Sequence, residues 1–310
     1  MRFEKWQALG NDYLIVEHDE LPFALTPARV RRLCEAHTGV FADGVLELAR
    51  PSEPAHVADL RIYNPDGSEA ELSGNGAREA ILYLRRRGWT DEDAFSIHTA
   101  AGPIRAAITG RFSCRVDMGN ARLISKDFPS GPSDGAGELL TPPPLAGDAT
   151  APAATRWRFQ HVSIGNPQCA IAVADAAALE ALDLPAVGPA IEGHADFPNR
   201  TNVSWFTQLD AGPPARIRVR VFERGVGETL SSGTGATGAA IAYLLAGGRG
   251  STRDRRDGAA HVIVTLDGGE LEVEVDEDLR VHLSGWALPV FEGRLSEELL
   301  AELRELSPEA

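Results

Sequence analysis

Two serines in this sequence stand where a small polar side chain could take part in chemistry. Ser73 and Ser232 each begin a Ser-Gly-x-Gly-Ala segment that opens a helical pattern. A Gly-x-Gly opening leaves backbone N–H groups unpaired at the helix start. Together with the helix dipole, these groups can bind a carboxylate or a phosphate. For either segment alone, a serine cap followed by a tight glycine turn is a sufficient explanation.

The two serine segments belong to an internal repeat. Residues 61–78, RIYNPDGSEAELSGNGAR, align without a gap with residues 220–237, RVFERGVGETLSSGTGAT, at a constant separation of 159 residues. A repeat this long is not a solenoid unit, and it indicates two similar domains. Because helix caps alone explain the repetition poorly, we expect both helix starts to face one cleft and to bind one anion there.

The elements around each repeat are predicted from periodicity and turn residues. Each copy predicts a strand, a glycine-containing loop and a helix, with helices at 74–87 and 233–246 that stop at Gly88 and at Gly247 and Gly248. A hairpin is predicted over residues 3–16 around Gly10-Asn11-Asp12, and Gly165-Asn166-Pro167 occupies nearly the corresponding place in the second half. Further helices are predicted from Thr26-Pro27 to Gly39 and at 176–182, 187–194 and 296–306, and further strands at 45–49, 59–63, 95–98, 104–109, 113–116, 169–173, 203–206, 216–222, 261–266, 270–275 and 279–283.

Short strands combined with two long apolar helices favour an α+β fold. We expect two pseudo-symmetric domains, each a mostly antiparallel sheet wrapped around a central helix. The predicted domains span residues 1–123, completed by residues 287–310, and residues 157–286. Residues 124–156 are rich in proline, glycine and alanine, and they are interpreted as a linker or an insertion.

Composition restricts the class of partner. The formal net charge of −15 and the 43% of hydrophobic residues indicate a soluble globular protein and argue against a nucleic-acid or anionic-membrane surface. The N-terminus lacks the pattern of a signal peptide, and no stretch is long and apolar enough to span a membrane. Three scattered cysteines suit reduced thiols. We therefore expect a cytoplasmic protein with a small-molecule partner, and with no nucleic acid and no membrane.

Signals for a cofactor or a metal are weak. Residues 233–238 formally match G-x-G-x-x-G, but a polar loop separates them from the preceding strand and no βαβ unit is evident. The sequence contains no Walker loop, and its eight histidines show no metal-ligand spacing. We expect neither a cofactor nor a metal.

Seven runs of residues, in order along nearly the whole chain, carry a resemblance to a known family. They are ALGNDYLIV (8–16), HTGVFADGV (37–45), YNPDGSEAELSGNGAR (63–78), SIGNPQ (163–168), FPNRTNV (197–203), ERGVGETLSSGTGA (223–236) and GGEL (268–271). With them the chain resembles the diaminopimelate epimerase family. The resemblance implies two pseudo-symmetric domains, no cofactor, a homodimer, and inversion at an amino-acid α-carbon in the cleft between the domains. The reaction it implies converts LL- to meso-diaminopimelate, a precursor of lysine and peptidoglycan.

The resemblance also assigns roles to particular residues. The backbone of the two helix starts would bind the reacting α-carboxylate through Gly74, Asn75, Gly233 and Thr234. Glu223, with the backbone near Arg224, would hold the reacting ammonium. The distal end of the amino acid would be bound by the Arg224 guanidinium, which suits a carboxylate, and by Asn11, Asn64, Asn166 and Asn202.

The chain departs from the family at the acid and base positions. Family members carry a cysteine at each equivalent of Ser73 and Ser232, where one thiolate removes the α-proton and the other thiol protonates the opposite face. A hydroxyl is a far weaker acid than a thiol and needs an adjacent base to do the same work. Gln168 replaces a histidine that commonly follows the Gly-Asn-Pro run, and Phe41 and Gly44 also differ from common residues.

Three functions are open on these grounds. In the first, the chain is an epimerase in which Ser73 and Ser232 exchange the α-proton. In the second, it is a binding protein that retains the site without turnover. In the third, it is an isomerase or lyase that acts on a related amino acid.

Overall fold

The strands of this protein are short, and many pair with their neighbours in the sequence. The computed structural model describes residues 1–142, 154–247, 255–256 and 258–306. In chain order the strands are β1 Arg2–Ala8, β2 Asn11–Glu17, β3 Val45–Ala49, β4 Asp59–Tyr63, β5 Glu69–Ala70, β6 Ala94–Thr99, β7 Gly102–Gly110, β8 Ser113–Asn120, β9 Ala136–Thr141, β10 Thr155–Ser163, β11 Pro167–Ala172, β12 Asn202–Asp210, β13 Ala215–Glu223, β14 Gly227–Thr229, β15 Arg255–Arg256, β16 Ala259–Leu266, β17 Gly269–Val275, β18 Arg280–Trp286 and β19 Leu288–Arg294.

The α-helices of the described residues all begin after a capping side chain. A serine, threonine or aspartate oxygen accepts a hydrogen bond from the first turn of each helix, which satisfies an N–H group that has no partner inside the helix. No helix in the described part of the chain is long and apolar enough to cross a membrane. The helices are α1 Pro27–Cys34, α2 Gly74–Arg86, α3 Ala176–Glu180, α4 Leu184–Glu192, α5 Gly233–Leu245 and α6 Glu297–Glu305.

The chain divides into two units. Unit 1 consists of Met1–Asp117 and Ser284–Ala310, and unit 2 consists of Met118–Leu283. The chain passes from one unit to the other within β8 and again within β18. The predicted domain boundaries stay a prediction.

Unit 1 begins with a tight hairpin. β1 and β2 pair antiparallel with Ala8 opposite Asn11, and the two residues between them, Leu9 and Gly10, have positive φ angles of 55° and 82°. Positive φ at both positions suits a two-residue hairpin loop. Pairing then continues from β2 to β3 in parallel, from β3 to β4 antiparallel, and from β4 to β5 antiparallel and to β6 in parallel. β6 pairs with β7 and β7 with β8, and β19 pairs antiparallel with β1.

Unit 2 repeats this order of pairings. β10 and β11 form the antiparallel hairpin, β11 pairs with β12 in parallel, and β12 pairs with β13 antiparallel. β13 then pairs with the short β14 antiparallel and with β16 in parallel, and β16 pairs with β17. Each step from hairpin to final pair has its counterpart in unit 1. The chain therefore contains two repeated domains, as the sequence repeat predicts.

A buried helix follows the short strand in each unit. α2 packs on β1, β2 and β3, and α5 packs on β10 to β13, β16 and β17. The first eleven residues of each helix, 74–84 and 233–243, are buried, as expected for α5 because its sequence is apolar all round. Glycine allows β11 to lie close to α5, since a Cβ at Gly238 would lie 2.8 Å from the Cβ of Gln168.

Most predicted elements lie where they were expected along the chain, but several begin or end at other residues than predicted. The two hairpin strands, the start of α1, β3 and β4 are confirmed. The predicted end of α1 at Gly39 was wrong, because the backbone of Glu35 leaves the helical region (ψ 131°) and the helix ends at Cys34. The hairpin loop is Leu9-Gly10, and Asn11 and Asp12 already pair within β2. The two long helices end one residue earlier than predicted, and Gly88 and Gly247 have the positive φ of helix stop residues; Gly248 lies outside the described residues. The predicted helix 187–194 was wrong in its bounds, because Asp183 caps a helix that starts at Leu184.

Three of the longer strands, β9, β10 and β19, were not predicted. β9 lies within the segment interpreted as a linker or insertion, and it pairs antiparallel with β10. Its buried residues Leu139 and Thr141 alternate with exposed ones, but the surrounding prolines and glycines concealed this short period. Residues 143–153 of the same segment lie outside the described residues. β19 was missed because its side chains are mostly exposed or half-buried and lack a period of two.

Candidate active-site residues

The two repeated serines begin their helices in the same way. Ser73 (φ −132°, ψ 121°) and Ser232 (φ −143°, ψ 122°) both have extended backbone. Ser73 Oγ accepts a hydrogen bond from Gly76 N at 3.1 Å, and Ser232 Oγ accepts one from Gly235 N at 3.2 Å. Each hydroxyl is therefore held at a helix N-terminus, where the helix dipole favours negative charge.

The next two residues of each motif form the helix starts that were predicted to bind an anion. Gly74, Asn75, Gly233 and Thr234 are all buried helical residues. N–H groups in the first turn have no partner within the helix. The carboxylate-binding role of these four residues, and the shared cleft, stay predictions.

The two serines differ in their surroundings. The Tyr13 hydroxyl donates to Ser73 Oγ at 3.2 Å, and Ser73 is half-buried. Ser232 is only 3% exposed, and its Oγ lies 3.5 Å from Thr234 Oγ1. Tyr13 was not among the predicted site residues. Tyr13 follows the hairpin asparagine Asn11 by two residues, and a phenol at this position is the sequence signal that could have identified it.

An asparagine from each hairpin contacts the helix start of its own unit. Asn75 Nδ2 donates to Asn11 Oδ1 at 3.1 Å, and Asn166 Nδ2 donates to Thr234 Oγ1 at 3.2 Å. Asn75 and Thr234 are equivalent positions of the 159-residue repeat, and Asn11 and Asn166 are the hairpin asparagines of the two halves. The structure thus brings together two predicted residues in each unit, through equivalent contacts.

Two residues that were not predicted support the helix starts. Arg78 is fully buried and donates from Nη1 to Gly74 O at 3.0 Å and from Nη2 to Asn75 Oδ1 at 2.7 Å. Thr237 occupies the equivalent repeat position and donates from Oγ1 to Gly233 O at 2.9 Å. The carbonyl of the first helical glycine is therefore bound in both units. A charged residue on the buried face of a helix is the sequence signal for Arg78.

Gln168 takes the place of Tyr13 in unit 2. It follows the hairpin asparagine by two residues, as Tyr13 does, and it is fully buried. Gln168 Nε2 donates to Asn166 Oδ1 at 2.7 Å and to Thr234 Oγ1 at 3.1 Å. Among the described residues no hydrogen bond joins Gln168 to Ser232, so the second serine has no equivalent of the phenol contact.

The residues predicted to hold the ammonium and the distal group lie around the end of β13. Asn202 Oδ1 accepts a hydrogen bond from Arg224 N at 2.9 Å. Glu223 Oε1 accepts one from Thr229 Oγ1 at 2.7 Å. The Arg224 side chain is exposed, and its Nη1 donates to Asn199 O at 3.0 Å. Asn202 and Arg224 are thus brought together, with the guanidinium at the surface of unit 2.

Asn64 stands apart from the other predicted residues of unit 1. It follows β4 at the repeat position equivalent to Glu223, the last residue of β13. Its Nδ2 donates to Ser68 Oγ at 3.0 Å, and its backbone N–H donates to Ser68 O at 2.8 Å. Within the ranges that the structure describes, no hydrogen bond connects Asn64 to another predicted site residue.

The three cysteines are poorly suited to replace the serines as bases. All three are free and buried. Burial raises the pKa of Cys34 and of Cys114 to about 12 and raises the pKa of Cys169 well above its usual value. Such thiols are protonated at neutral pH. No three histidine, cysteine, aspartate or glutamate side chains of the described residues are grouped so that they could hold a metal ion.

One carboxyl group is fully buried beside the helix start of unit 1. Within the part of the chain that the structure describes, no hydrogen bond of ordinary geometry reaches either oxygen of Glu79. Burial raises the pKa of Glu79 well above its usual range, although the Arg78 guanidinium and the Tyr13 N–H act in the opposite direction. Glu79 therefore takes up a proton more readily than a solvated glutamate does.

Comparison with known proteins places these features in a family. The family model described as diaminopimelate epimerase matches residues 3–124 and 160–285. A diaminopimelate epimerase of Pelotomaculum thermopropionicum is 40% identical over 300 residues, which cover 94% of this chain and 98% of the relative. One of Synechococcus sp. (strain JA-2-3B'a(2-13)) is 38% identical over 296 residues, which cover 94% and 97%. A solved Bacillus anthracis phenazine biosynthesis protein of the PhzF family shares the fold, with a TM-score of 0.66 and 19% identity over 96% of this chain and 99% of that chain.

Proposed function

This chain belongs to the diaminopimelate epimerase family, and we propose that it is a cofactor-independent isomerase that interconverts LL- and meso-diaminopimelate in lysine biosynthesis. The proposal makes Ser73 and Ser232 the acid and base, one from each domain. Each serine serves one face of the substrate α-carbon, because inversion removes the proton from one face and returns it to the other.

The matched geometry of the two serine helix starts carries this proposal. Ser73 and Ser232 have nearly the same backbone angles and accept the same capping hydrogen bond, from Gly76 and Gly235. A capping N–H and a helix dipole favour negative charge on the side-chain oxygen. Both serines are therefore held where an alkoxide, or the thiolate of a cysteine, is stabilised.

The same helix starts suit the reacting carboxylate. Loss of the α-proton moves negative charge onto this carboxylate, and fixed N–H donors stabilise that charge without reorganising. The proposal assigns these donors to Gly74, Asn75, Gly233 and Thr234. This stabilisation does not depend on whether the adjacent acid or base is a thiol or a hydroxyl.

The remaining proposed contacts bind the amino group and the distal end. Glu223 is the proposed partner of the reacting ammonium. We assign the distal carboxylate to the Arg224 guanidinium, which is exposed and carries five N–H donors. Its Nη1 donates to Asn199 O. The asparagines proposed to complete the distal contacts are Asn11, Asn64, Asn166 and Asn202.

Exchange of the substrate α-hydrogen tests the proposal. The protein is incubated with LL-diaminopimelate in deuterated water, and deuterium uptake and stereochemistry are followed by mass spectrometry and chiral chromatography. We expect slow deuterium incorporation with formation of the meso isomer, and its loss in Ser73→Ala and Ser232→Ala. Binding without exchange would support the non-catalytic binding protein instead. Loss of the amino group or of the stereocentre would support a lyase.

The proposal extends to the class of fold. We infer an α+β protein in which each domain, residues 1–123 with 287–310 and residues 157–286, is a mostly antiparallel sheet around a central helix. Support comes from the antiparallel pairing of most neighbouring strands and from the buried first eleven residues of α2 and α5.

We also propose a cytoplasmic homodimer. Val290 and Phe291 of β19 are 53% and 45% exposed, and adjacent exposed apolar side chains on a strand favour association. Light scattering should give a molar mass twice that of the chain, and Phe291→Glu should lower the molar mass to that of a single chain. A monomeric parent protein would contradict the proposal.

A further inference from the structure

We propose that Tyr13 is a positioning residue that enables Ser73 to act, because its phenol exchanges a proton with the Ser73 hydroxyl. The inference rests on the proposed function and adds a residue to its proton-transfer path. Tyr13 Oη donates to Ser73 Oγ at 3.2 Å. This contact is longer than an ideal O–H···O hydrogen bond, as catalytic hydrogen bonds often are before substrate binds.

The position of the phenol is fixed by its neighbours. Tyr13 lies opposite Trp6 in the β1–β2 pairing and is 6% exposed. A Cβ at Gly44 would lie 2.7 Å from Tyr13 Cε1 and 2.2 Å from Tyr63 O. The glycine therefore provides the space that the tyrosine ring occupies.

The chemical step balances within the two side chains. When Ser73 protonates the α-carbon, the Oγ–H bond breaks and the C–H bond forms, while the Tyr13 proton moves to Ser73 Oγ. The products are a neutral Ser73 and a Tyr13 phenolate. In the reverse direction the phenolate takes the Ser73 proton as Oγ takes the α-proton. A phenol has a pKa of about 10, so a phenolate is a far more accessible charged state than an alkoxide.

The phenol serves one serine only. Its counterpart Gln168 donates to Asn166 and Thr234 rather than to Ser232. A side-chain amide does not ionise near neutral pH, so Gln168 cannot exchange a proton as a phenol does. The neighbour of Ser232 Oγ is a second hydroxyl, that of Thr234, at 3.5 Å. Ser73 therefore has a phenol with which to exchange a proton, whereas Ser232 has none. Proton transfer at the two faces of the substrate is thus unequally supported.

The charged groups around Tyr13 act in both directions on its phenolate. Carboxylates oppose the negative charge and cations favour it. Lys5 Nζ pairs with Asp12 Oδ2 at 3.0 Å, so a cation offsets the charge of that carboxylate, and burial raises the pKa of the Glu79 carboxyl well above its usual value. The titratable and charged side chains of the neighbouring elements are Arg2, Glu4 and Lys5 on β1, Asp12 and Glu17 on β2, Asp43 before β3, Glu47 on β3, Asp59, Arg61 and Tyr63 on β4, and Arg78, Glu79, Tyr83, Arg85 and Arg86 on α2.

A comparison of two parent proteins tests the inference. The serine parent carries Ser232→Cys and keeps Ser73, whereas the cysteine parent carries Ser73→Cys and Ser232→Cys. Tyr13→Phe should lower kcat for diaminopimelate epimerisation at least about tenfold in the serine parent, with little change in KM. In the cysteine parent the loss should stay below about threefold, because a thiol of pKa about 8.5 needs no phenol.

Two further measurements separate proton exchange from a packing role. Tyr83→Phe is the matched control, since this buried hydroxyl donates to Glu17 at 2.8 Å at the other end of α2, and kcat should not change. Fluorotyrosine at position 13, whose phenol is more acidic, should shift the alkaline limb of the kcat profile of the serine parent to lower pH.

Each failure has a distinct signature. Equal losses from Tyr13→Phe in both parents would show a structural role and overturn this inference alone. An active cysteine parent beside a serine parent without any α-hydrogen exchange would overturn the role of Ser73, and this inference with it, while leaving diaminopimelate as the substrate. A cysteine parent that does not act on diaminopimelate would overturn the proposed function, and this inference with it.

Discussion

Replacing Glu79 by glutamine should stabilise the protein at neutral and alkaline pH. Glu79 is fully buried, and none of the described residues makes a hydrogen bond of ordinary geometry to its oxygens. Burial raises its pKa more than the neighbouring Arg78 guanidinium lowers it. Folding at a pH where the unfolded chain carries a carboxylate therefore requires Glu79 either to take up a proton or to bury a charge.

The sign and the size of the effect follow from the bound protons. In the unfolded chain a glutamate ionises near a pKa of about 4.3. Above this pH the folded protein binds more protons than the unfolded chain at this position, so its stability falls as pH rises towards the folded pKa. The slope is at most about 1.4 kcal/mol per pH unit. Glutamine does not ionise, so the gain from Glu79→Gln should be smallest near pH 4 and should grow as pH rises.

Urea unfolding at pH 4.5, 6 and 7.5 measures this difference, with pH values chosen to span the expected window. Tryptophan fluorescence is a suitable signal, because Trp6 is fully buried in unit 1, the unit that contains Glu79. Glu92→Gln is the control, since Glu92 is exposed and should show no such growth. Destabilisation by Glu79→Gln at pH 7.5 would mean that Glu79 is ionised and paired with Arg78, and it would refute the reasoning.

Three further predictions concern the site and the thiols. Ser73→Cys combined with Ser232→Cys should raise the epimerisation rate by orders of magnitude, because a thiol pKa of about 8.5 lies nearer the working pH. Each single Ser→Cys replacement should raise the rate of α-hydrogen exchange more than the rate of inversion. If the protein turned over diaminopimelate at an ordinary enzymatic rate, and alanine at both positions left that rate unchanged, the assignment of Ser73 and Ser232 as acid and base would be contradicted. Arg224→Ala should weaken diaminopimelate binding by about 1 to 3 kcal/mol in calorimetry and remove its preference over lysine; equal affinity of the parent for both would count against this role. The three cysteines, with pKa values raised by burial, should react with a thiol reagent only on unfolding, whereas rapid labelling of the folded protein would contradict their burial.

The repeat could be found in the sequence because its chemistry is local. A serine cap, two glycines and a following helix are encoded within a few residues, and the structure has this arrangement at both Ser73 and Ser232. The equivalent strands could be predicted for the same reason. The separation of the two motifs by 159 residues then indicated two domains.

The side-chain partners of the serines could not be found in this way. Whether Tyr13 reaches Ser73 depends on how β2 packs against α2 and on the space left by Gly44. Arg78 contacts its own helix, but its burial depends on the strands that cover α2. Long-range packing of this kind leaves no fixed spacing in the sequence, so a pattern search does not detect it.

The helix cap explains how one scaffold can hold either a cysteine or a serine at these positions. Gly76 N donates to Ser73 Oγ, and this bond does not use the hydroxyl proton. Deprotonation strengthens the bond, because a hydrogen bond to a charged acceptor is stronger than one to a neutral acceptor. Capping and proton transfer are therefore compatible at the same atom. The intrinsic acidity of the group is what changes between thiol and hydroxyl, and in unit 1 the Tyr13 phenol, donating at 3.2 Å, is placed to offset that change.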